Sequence, residues 1–171
     1  MEIDKIKKIC VVGAGTMGHQ IALQCAVHNY EVHLVDTSKE ALAKAQEKIR
    51  KLLEERASRG EIPPNSMQKA LSGISYTTDL KEAAGDADFV VEAVPEDVEI
   101  KRQVFGQLDR ICPSRAIFAT NSSSIRCSLL ADATKRPEKV VNMHFLHPIW
   151  VRPLVEAVSY THLRAHETVL D

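Results

Sequence analysis

A glycine-rich turn between an apolar segment and a helical pattern most constrains this chain. The apolar residues 9–12 lead into the sequence GAGTMG at 13–18, and a helical pattern follows. In a Gly-x-Gly-x-x-Gly turn, the first glycine permits a tight bend, the second lets the backbone approach a pyrophosphate, and the third lets the helix pack against its strand. The helix N-terminus offers N–H groups and partial positive charge to the phosphates. The turn therefore predicts a dinucleotide site at Gly13, Gly15, Thr16, Met17 and Gly18.

An acidic residue closes the second apolar run. Asp36 follows residues 32–35 and lies 18 residues beyond Gly18, near the spacing of about 20 that is typical of an acid binding a ribose 2′-hydroxyl. A carboxylate there would repel the 2′-phosphate of NADP, so the predicted cofactor is NAD. The glycines alone could serve only helix–strand packing, but the strand, helix, second strand and acid around them favour cofactor binding.

Composition limits the class of protein. With 171 residues, of which 44% are hydrophobic, the chain can form one domain with a real core. The net charge of -1 gives no electrostatic reason to expect nucleic acid or an acidic membrane surface as a partner. No apolar run approaches the ~20 residues that span a membrane. The four cysteines have neither zinc nor disulfide spacing, and the histidines show no metal-ligand pattern. We expect a cytoplasmic protein without a metal.

Apolar runs alternate with helical patterns along the chain. Strands are predicted at 9–12, 31–36, 74–77, 88–94, 116–120, 140–144 and 154–158. Helices are predicted at 15–28, 38–60, 65–71, 78–84 and 97–112. Several of the strands lack polar alternation, which is typical of a parallel sheet covered on both faces. The prediction is an α/β fold with a doubly wound, mostly parallel sheet of the Rossmann type, and a helical hairpin inserted at 38–72.

Three polar motifs stand out in the second half of the chain, the first two at the ends of predicted strands and the third within the last predicted strand. They are TNSSS at 120–124, NMHFLHP at 142–148, and LVE at 154–156. Ligands of open α/β sheets bind beyond the carboxyl ends of the strands. These motifs therefore place hydroxyls, imidazoles and a carboxylate where a nicotinamide would lie.

These motifs give the chain a resemblance to a known family. Residues 5–157 resemble the NAD-binding domain of the L-3-hydroxyacyl-CoA dehydrogenase family. The shared features are a Gly-Ala-Gly-x-Met-Gly turn, an Asn-x-Ser-Ser motif, a His-Phe-x-x-Pro motif and a later glutamate. His144 lies 21 residues after Ser123 and 12 before Glu156, as in the family. The resemblance implies NAD-dependent oxidation of L-3-hydroxyacyl-CoA to 3-oxoacyl-CoA, in fatty-acid β-oxidation or butanoate metabolism.

The resemblance also implies roles for individual residues. His144 resembles the catalytic base, Glu156 its carboxylate partner, and Ser123 a hydrogen-bonding group for substrate and cofactor. Glu96 and Lys101 match positions that bind the NAD ribose and the substrate region. Each also has a plainer interpretation: His144 as a hydrogen-bonded strand-end histidine, Ser123 as a turn residue, and Glu96 with Lys101 as a surface pair in a first helical turn.

Two regions depart from the family or extend its pattern. His147 stands where the family usually has an asparagine that contacts the nicotinamide end, and an imidazole can also donate or accept a hydrogen bond. In the family the hairpin contributes to binding coenzyme A. Lys51, Arg56 and Arg59 are candidates for its phosphates, although interspersed glutamates favour an ordinary salt-bridged surface.

The end of the sequence fits the family least. Members continue past the position of Glu156 into an all-helical domain that closes the substrate pocket and forms a homodimer. The segment 159–168 resembles a translated sequencing-adapter sequence. We therefore expect a domain at 1–158, an artefactual tail at 159–171, and no C-terminal helical domain in this reading frame. Two alternatives stay open, namely an NAD-binding fragment without activity and a relative of the L-gulonate dehydrogenase and λ-crystallin branch.

Overall fold

The computed structural model describes residues 3–152 and 154–159. In these residues, seven strands form one sheet: β1 Lys8–Val12, β2 Glu31–Val35, β3 Ile74–Thr77, β4 Phe89–Glu92, β5 Ile117–Thr120, β6 Val140–Phe145 and β7 Val155–Ser159. Their order in the sheet is β3-β2-β1-β4-β5-β6-β7. Strands β1 to β6 are parallel, and β7 pairs with β6 in the antiparallel direction. The predicted doubly wound, mostly parallel sheet is confirmed.

The central strand β1 shows why the sheet needs helices on both faces. Successive side chains of a strand point to opposite faces. Ile9 and Val11 belong to one buried cluster, whereas Cys10 and Val12 belong to the other. Both faces are therefore apolar, and a sheet of this kind is stable only when helices cover each of them.

Within the described residues, six helices provide that cover. They are α1 Gly18–Val27, α2 Lys39–Ser58, α3 Pro64–Ser72, α4 Leu80–Ala84, α5 Val98–Ile111 and α6 Cys127–Ala131. Short 3₁₀ segments occupy Ile3–Lys5 and Pro137–Lys139. The side chains of Ser38, Asp79 and Asp97 accept backbone N–H groups at the starts of α2, α4 and α5, which satisfies donors that a helix leaves unpaired. Helices α2 and α3 pack on each other and on α1, forming the expected hairpin.

The elements differ from the sequence predictions at a few boundaries. Helix α1 begins at Gly18 rather than at 15, because residues 15–17 form the turn that precedes it. Strand β4 ends at Glu92 rather than at 94, since the Val94 N–H donates to the Glu92 side chain. Helix α6 was not predicted, because five residues are too few to show a helical period and, unlike α4 with Asp79, it has no side-chain cap at its start.

Two sequence-based expectations concern the rest of the chain. Of the expected tail at 159–171, only Ser159 is described, and it is the last residue of β7; residues 160–171 lie outside the described part. Within residues 3–152 and 154–159, no helix is long and apolar enough to cross a membrane.

Candidate active site

A cleft of about 840 Å³ opens at the carboxyl ends of the strands. It lies where the strand order reverses between β1 and β4, the usual ligand position in such a sheet. The structure brings most of the predicted site residues to its walls: Gly13, Gly15, Thr16, Met17, Asp36, Glu96, Lys101, Ser123, His144 and His147. Gly18 and Glu156 do not line the cleft, but Gly18 packs against Gly13 and Glu156 contacts His144.

The glycines of the turn meet different steric demands. Gly13 has a φ of +102°, and a Cβ there would lie 2.6 Å from the Ala93 carbonyl oxygen. A Cβ at Gly18 would lie 1.7 Å from the Gly13 carbonyl oxygen. At Gly15 a Cβ would meet no atom within 4 Å, although the residue lines the cleft. The space at Gly15 thus fits a group that approaches the backbone closely, such as a pyrophosphate.

The carboxylate of Asp36 stands at the end of β2 beside this turn. Its Oδ2 accepts the Ala14 N–H at 2.8 Å, and its Oδ1 accepts the Ser38 N–H at 2.9 Å. A carboxylate has about four lone-pair sites, so these two bonds orient Asp36 and leave capacity for a ribose diol. The negative charge disfavours a 2′-phosphate at the same place.

A buried ion pair lies beneath the cleft, and the sequence reasoning found only half of it. Lys101 in α5 donates to Oε1 of Glu92 at 2.7 Å, and both side chains are almost fully enclosed. Glu92 was not predicted as a site residue. The available signal was an acidic residue inside the apolar strand β4, because glutamate is rarely buried unless it is paired.

Glu96 connects that pair to the cleft wall. Its Oε1 accepts the hydroxyls of Ser122 and Ser124, and its Oε2 lies 3.4 Å from the Lys101 ammonium. Burial opposes ionisation of Glu96, but the two hydroxyls and the Lys101 charge outweigh it and lower the pKa to about 2. The site therefore holds a fixed negative charge throughout the neutral range. Ser122 also accepts the Ile125 N–H at 2.7 Å, so its hydroxyl stabilises the turn in this loop.

His144 and Glu156 face each other across the pair β6–β7. They are direct partners in the strand register, and Nδ1 of His144 lies 2.9 Å from Oε2 of Glu156. Asn121, in the loop that carries Ser123, accepts the Phe145 N–H through its side chain at 3.0 Å. The structure thus places Ser123 and His144 on adjoining walls, with a carboxylate behind the imidazole.

Two polar side chains of α1 hold the turn and the loop after β6, and the sequence reasoning missed both. Gln20 donates to the Thr16 carbonyl at 2.9 Å and accepts the Ile149 N–H at 3.3 Å. His19 contacts the Gly15 carbonyl through Nδ1 at 2.6 Å. Burial lowers the pKa of His19 below its usual value, although the bond to Gly15 opposes that shift. Through Gln20, the turn is connected to the loop that carries His147.

The basic residues of the hairpin are placed differently. Lys51 pairs with Glu47 at 2.8 Å, while Arg56 and Arg59 lie 3.4 Å and 3.9 Å from Glu61. Each cation thus has a glutamate of the hairpin as its neighbour, and none of the three lines the cleft. Among the described residues, no group of three or more His, Cys, Asp or Glu side chains could hold a metal ion.

Comparisons with known proteins identify the family of this chain. The sequence model of the family described as 3-hydroxyacyl-CoA dehydrogenase, NAD binding domain, matches residues 8–170. The 3-hydroxyadipyl-CoA dehydrogenase of Escherichia coli K12 is 38% identical over 154 residues, which are 90% of this chain and 32% of that protein. A probable 3-hydroxybutyryl-CoA dehydrogenase of Bacillus subtilis 168 is 36% identical over 98% of this chain and 58% of that protein.

A solved structure shows the same fold. The crystal structure of 3-hydroxybutyryl-CoA dehydrogenase from Escherichia coli K12 superposes with a TM-score of 0.87 at 38% identity, covering 91% of this chain and 33% of that one. The chain therefore spans between about a third and about three-fifths of the length of these relatives.

Proposed function

Because the chain belongs to the family of the NAD binding domain of 3-hydroxyacyl-CoA dehydrogenases, we propose that its protein oxidises L-3-hydroxyacyl-CoA to 3-oxoacyl-CoA with NAD. The reaction would serve fatty-acid β-oxidation or butanoate metabolism. The observation that carries the proposal is the 2.9 Å contact between His144 and Glu156 at the rim of the cofactor cleft. On the cysteine usage given above, we also propose a reducing, cytoplasmic compartment.

Only part of the proposed active site lies in this chain. We assign the cofactor cleft and the base to the described residues. We assign the remainder of the thioester pocket, and a homodimer contact, to the additional length that the relatives have. The basic residues Lys51, Arg56 and Arg59 are kept only as candidates for the coenzyme A phosphates, since each already has a glutamate beside it.

His144 has the geometry of a general base. A carboxylate only accepts hydrogen bonds, so Glu156 holds the hydrogen on Nδ1 and leaves the Nε2 lone pair for the substrate. Nε2 then takes the proton of the 3-hydroxyl group, and Glu156 stabilises the imidazolium that forms. NAD, when bound, supplies the acceptor for the hydride that leaves C3. Ser123, exposed on the cleft wall, orients the hydroxyl by hydrogen bonding.

Glu96 has the properties of a ribose-binding group. Its ionised carboxylate is fixed by two hydroxyls and one ammonium group, and it lines the cleft. An anion held in this way accepts hydrogen bonds from ribose hydroxyls without reorganising. Asp36 offers the same chemistry at the opposite side of the glycine turn.

The first test replaces His144 by Gln in a protein that includes the further length of its relatives. Reduction of acetoacetyl-CoA with NADH should fall by roughly 10²–10⁴ in kcat, because in this direction His144 is the acid that donates the proton to the 3-oxo oxygen and glutamine cannot replace it, while NADH affinity stays unchanged. His33→Gln, on β2 beside Glu31, is the matched control and should retain full activity.

Other outcomes would contradict the proposal. Full activity of His144→Gln would exclude the base, and loss of NADH binding would indicate a structural histidine. Turnover of L-gulonate without turnover of acetoacetyl-CoA would favour the other branch of relatives. If the protein that includes the further length of its relatives binds NADH but shows no turnover, it is a cofactor-binding protein only.

A further inference from the structure

A carboxylate and an ammonium group are both enclosed beneath the cofactor cleft. Glu92 at the end of β4 is 0% exposed and Lys101 in the first turns of α5 is 1% exposed. Removing two charges from water is costly, and an apolar pair of similar volume is often as stable or more stable. Stability alone therefore gives no reason for these charges, and their contacts suggest another role.

Glu92 connects three elements through its two oxygens. Oε1 accepts the Lys101 ammonium and the Val94 N–H, each at 2.7 Å. Oε2 accepts the Thr120 hydroxyl at 2.7 Å. The carboxylate thus fixes the ends of β4 and β5 and the start of α5, which are the elements that form one wall of the cleft.

Three oxygen atoms surround the Lys101 ammonium group, two of them as hydrogen-bond acceptors and the third as an ion-pair partner. An ammonium group has three donors and no acceptor. Its neighbours are Oε1 of Glu92 at 2.7 Å, the Val94 carbonyl at 3.3 Å and Oε2 of Glu96 at 3.4 Å. Of these three, only Glu96 has a substantially exposed side chain. Although Lys101 lines part of the cleft, its side chain is only 1% exposed, so its charge acts on a bound ligand mainly through Glu96.

We propose that Glu92 is a positioning residue that orients Lys101, and that this buried pair acts on the cofactor through Glu96. The inference rests on the proposed NAD site and extends it to a residue that makes no cofactor contact of its own. Glu92 fixes the ammonium, the ammonium fixes Oε2 of Glu96, and the hydroxyls of Ser122 and Ser124 fix Oε1. Glu96 is thereby held in one orientation from both sides.

A thermodynamic cycle on NADH binding tests the coupling. The first variant is Glu92→Gln with Lys101→Met, because changing Glu92 alone would leave a buried ammonium group unpaired. The second is Glu96→Gln, and the third combines all three changes. Each of the first two should weaken NADH binding by roughly 10-fold or more. The loss of the hydrogen-bond partners that orient the ligands has an effect of this size in metal sites. The triple variant should bind NADH no more weakly than Glu96→Gln does. If the two changes acted independently, their fold-losses of affinity would multiply.

Isotope-edited carbon NMR of the Glu96 carboxyl gives a second readout that needs no cofactor. The charged and polar groups facing Glu96 are Lys101 from α5, backed by Glu92 from β4, and the hydroxyls of Ser122 and Ser124 from the loop after β5. The wild-type pKa is about 2 and should rise in the double variant, because the Lys101 charge is gone. An unchanged pKa of Glu96 would overturn the proposed coupling, whether or not the protein binds NADH. Failure of the wild-type protein to bind NADH would instead contradict the NAD site.

A second buried ion pair supplies the control. Arg136 contacts Asp109 at 2.7 Å near the other end of α5, with both side chains largely buried. Asp109→Asn should lower the unfolding temperature and leave NADH affinity unchanged. An equal loss of NADH affinity in Asp109→Asn would show that the Glu92 variants act only by destabilising the domain. Either that result or multiplied losses in the cycle would show that the proposal is wrong.

Discussion

Single atoms decide what each glycine of the turn after β1 can tolerate. At Gly18 an added methyl group would lie 1.7 Å from a backbone oxygen, and neither the strand nor the helix can move away without losing its core contacts. At Gly15 the same methyl group would enter open space. One glycine thus serves the fold, and the other leaves room for a ligand.

Alanine at these two positions should therefore give opposite results. Gly15→Ala should keep or slightly raise the free energy of unfolding, by about 0.4–1 kcal/mol, since alanine restricts the unfolded chain, and it should abolish tight NADH binding. Gly18→Ala should cost about 3 kcal/mol, at the upper end of overpacking effects. Urea unfolding and NADH titration measure the two quantities, and tight NADH binding by Gly15→Ala would exclude the turn as the pyrophosphate site.

Helix α1 is the element that connects the glycine turn with the rest of the candidate site. His19 and Gln20 lie in its first turn and bind backbone carbonyls of the glycine turn. The residues that face His19 include Lys48 and His147, both of which disfavour its protonation. The start of α1 is therefore sensitive to charge.

Acid should destabilise the protein through His19. The folded-state pKa of His19 is below its usual value of 6.5, so the unfolded chain binds the proton more readily. The stabilising contribution is complete above about pH 6.5 and is lost as the pH falls below it, by as much as about 1.4 kcal/mol per pH unit. His19→Gln should flatten this part of the curve of unfolding free energy against pH. His28→Gln, an exposed residue at the end of α1, should leave it unchanged, and an identical slope in both variants would contradict the assignment.

Local patterns were sufficient to predict most elements but not the polar contacts between them. Asp79 and Ser38 could be predicted as caps because a cap depends on residues two or three positions away. The glycine turn and Asp36 have characteristic spacing. Gln20, in contrast, binds a residue 129 positions later, and Glu92 binds residues 9 and 28 positions away. No local period records such contacts, because the topology of the sheet creates them.

On the scale of the whole molecule, the cleft joins the two halves of the doubly wound sheet. The glycine turn and Asp36 follow β1 and β2, whereas Glu96, Ser123 and His144 belong to the half that begins at β4. A ligand that contacts both halves binds the folded state alone and stabilises it by mass action.

NADH should accordingly raise the unfolding temperature of the 171-residue chain. At a concentration 100 times its Kd, NADH should contribute about 2.7 kcal/mol, which corresponds to roughly 5–10 °C for a domain of this size. NADPH at the same concentration should give a much smaller shift, because Asp36 repels its 2′-phosphate. Differential scanning fluorimetry checks both values. Equal shifts would contradict the role of Asp36, and no shift with NADH would contradict binding by this chain.

The pairing of β6 with β7 has a consequence for how the proposed chemistry could be lost. His144 meets Glu156 only because the two strands pair in one register. Adjacent side chains of a strand alternate between faces, so a slip of one position would set Val155 or Ala157 against the imidazole and turn the carboxylate away. Strand β7 lies at the edge of the sheet and is mostly exposed. A copy with a mispaired last strand would still hold its nucleotide, so faulty assembly would yield binding without turnover.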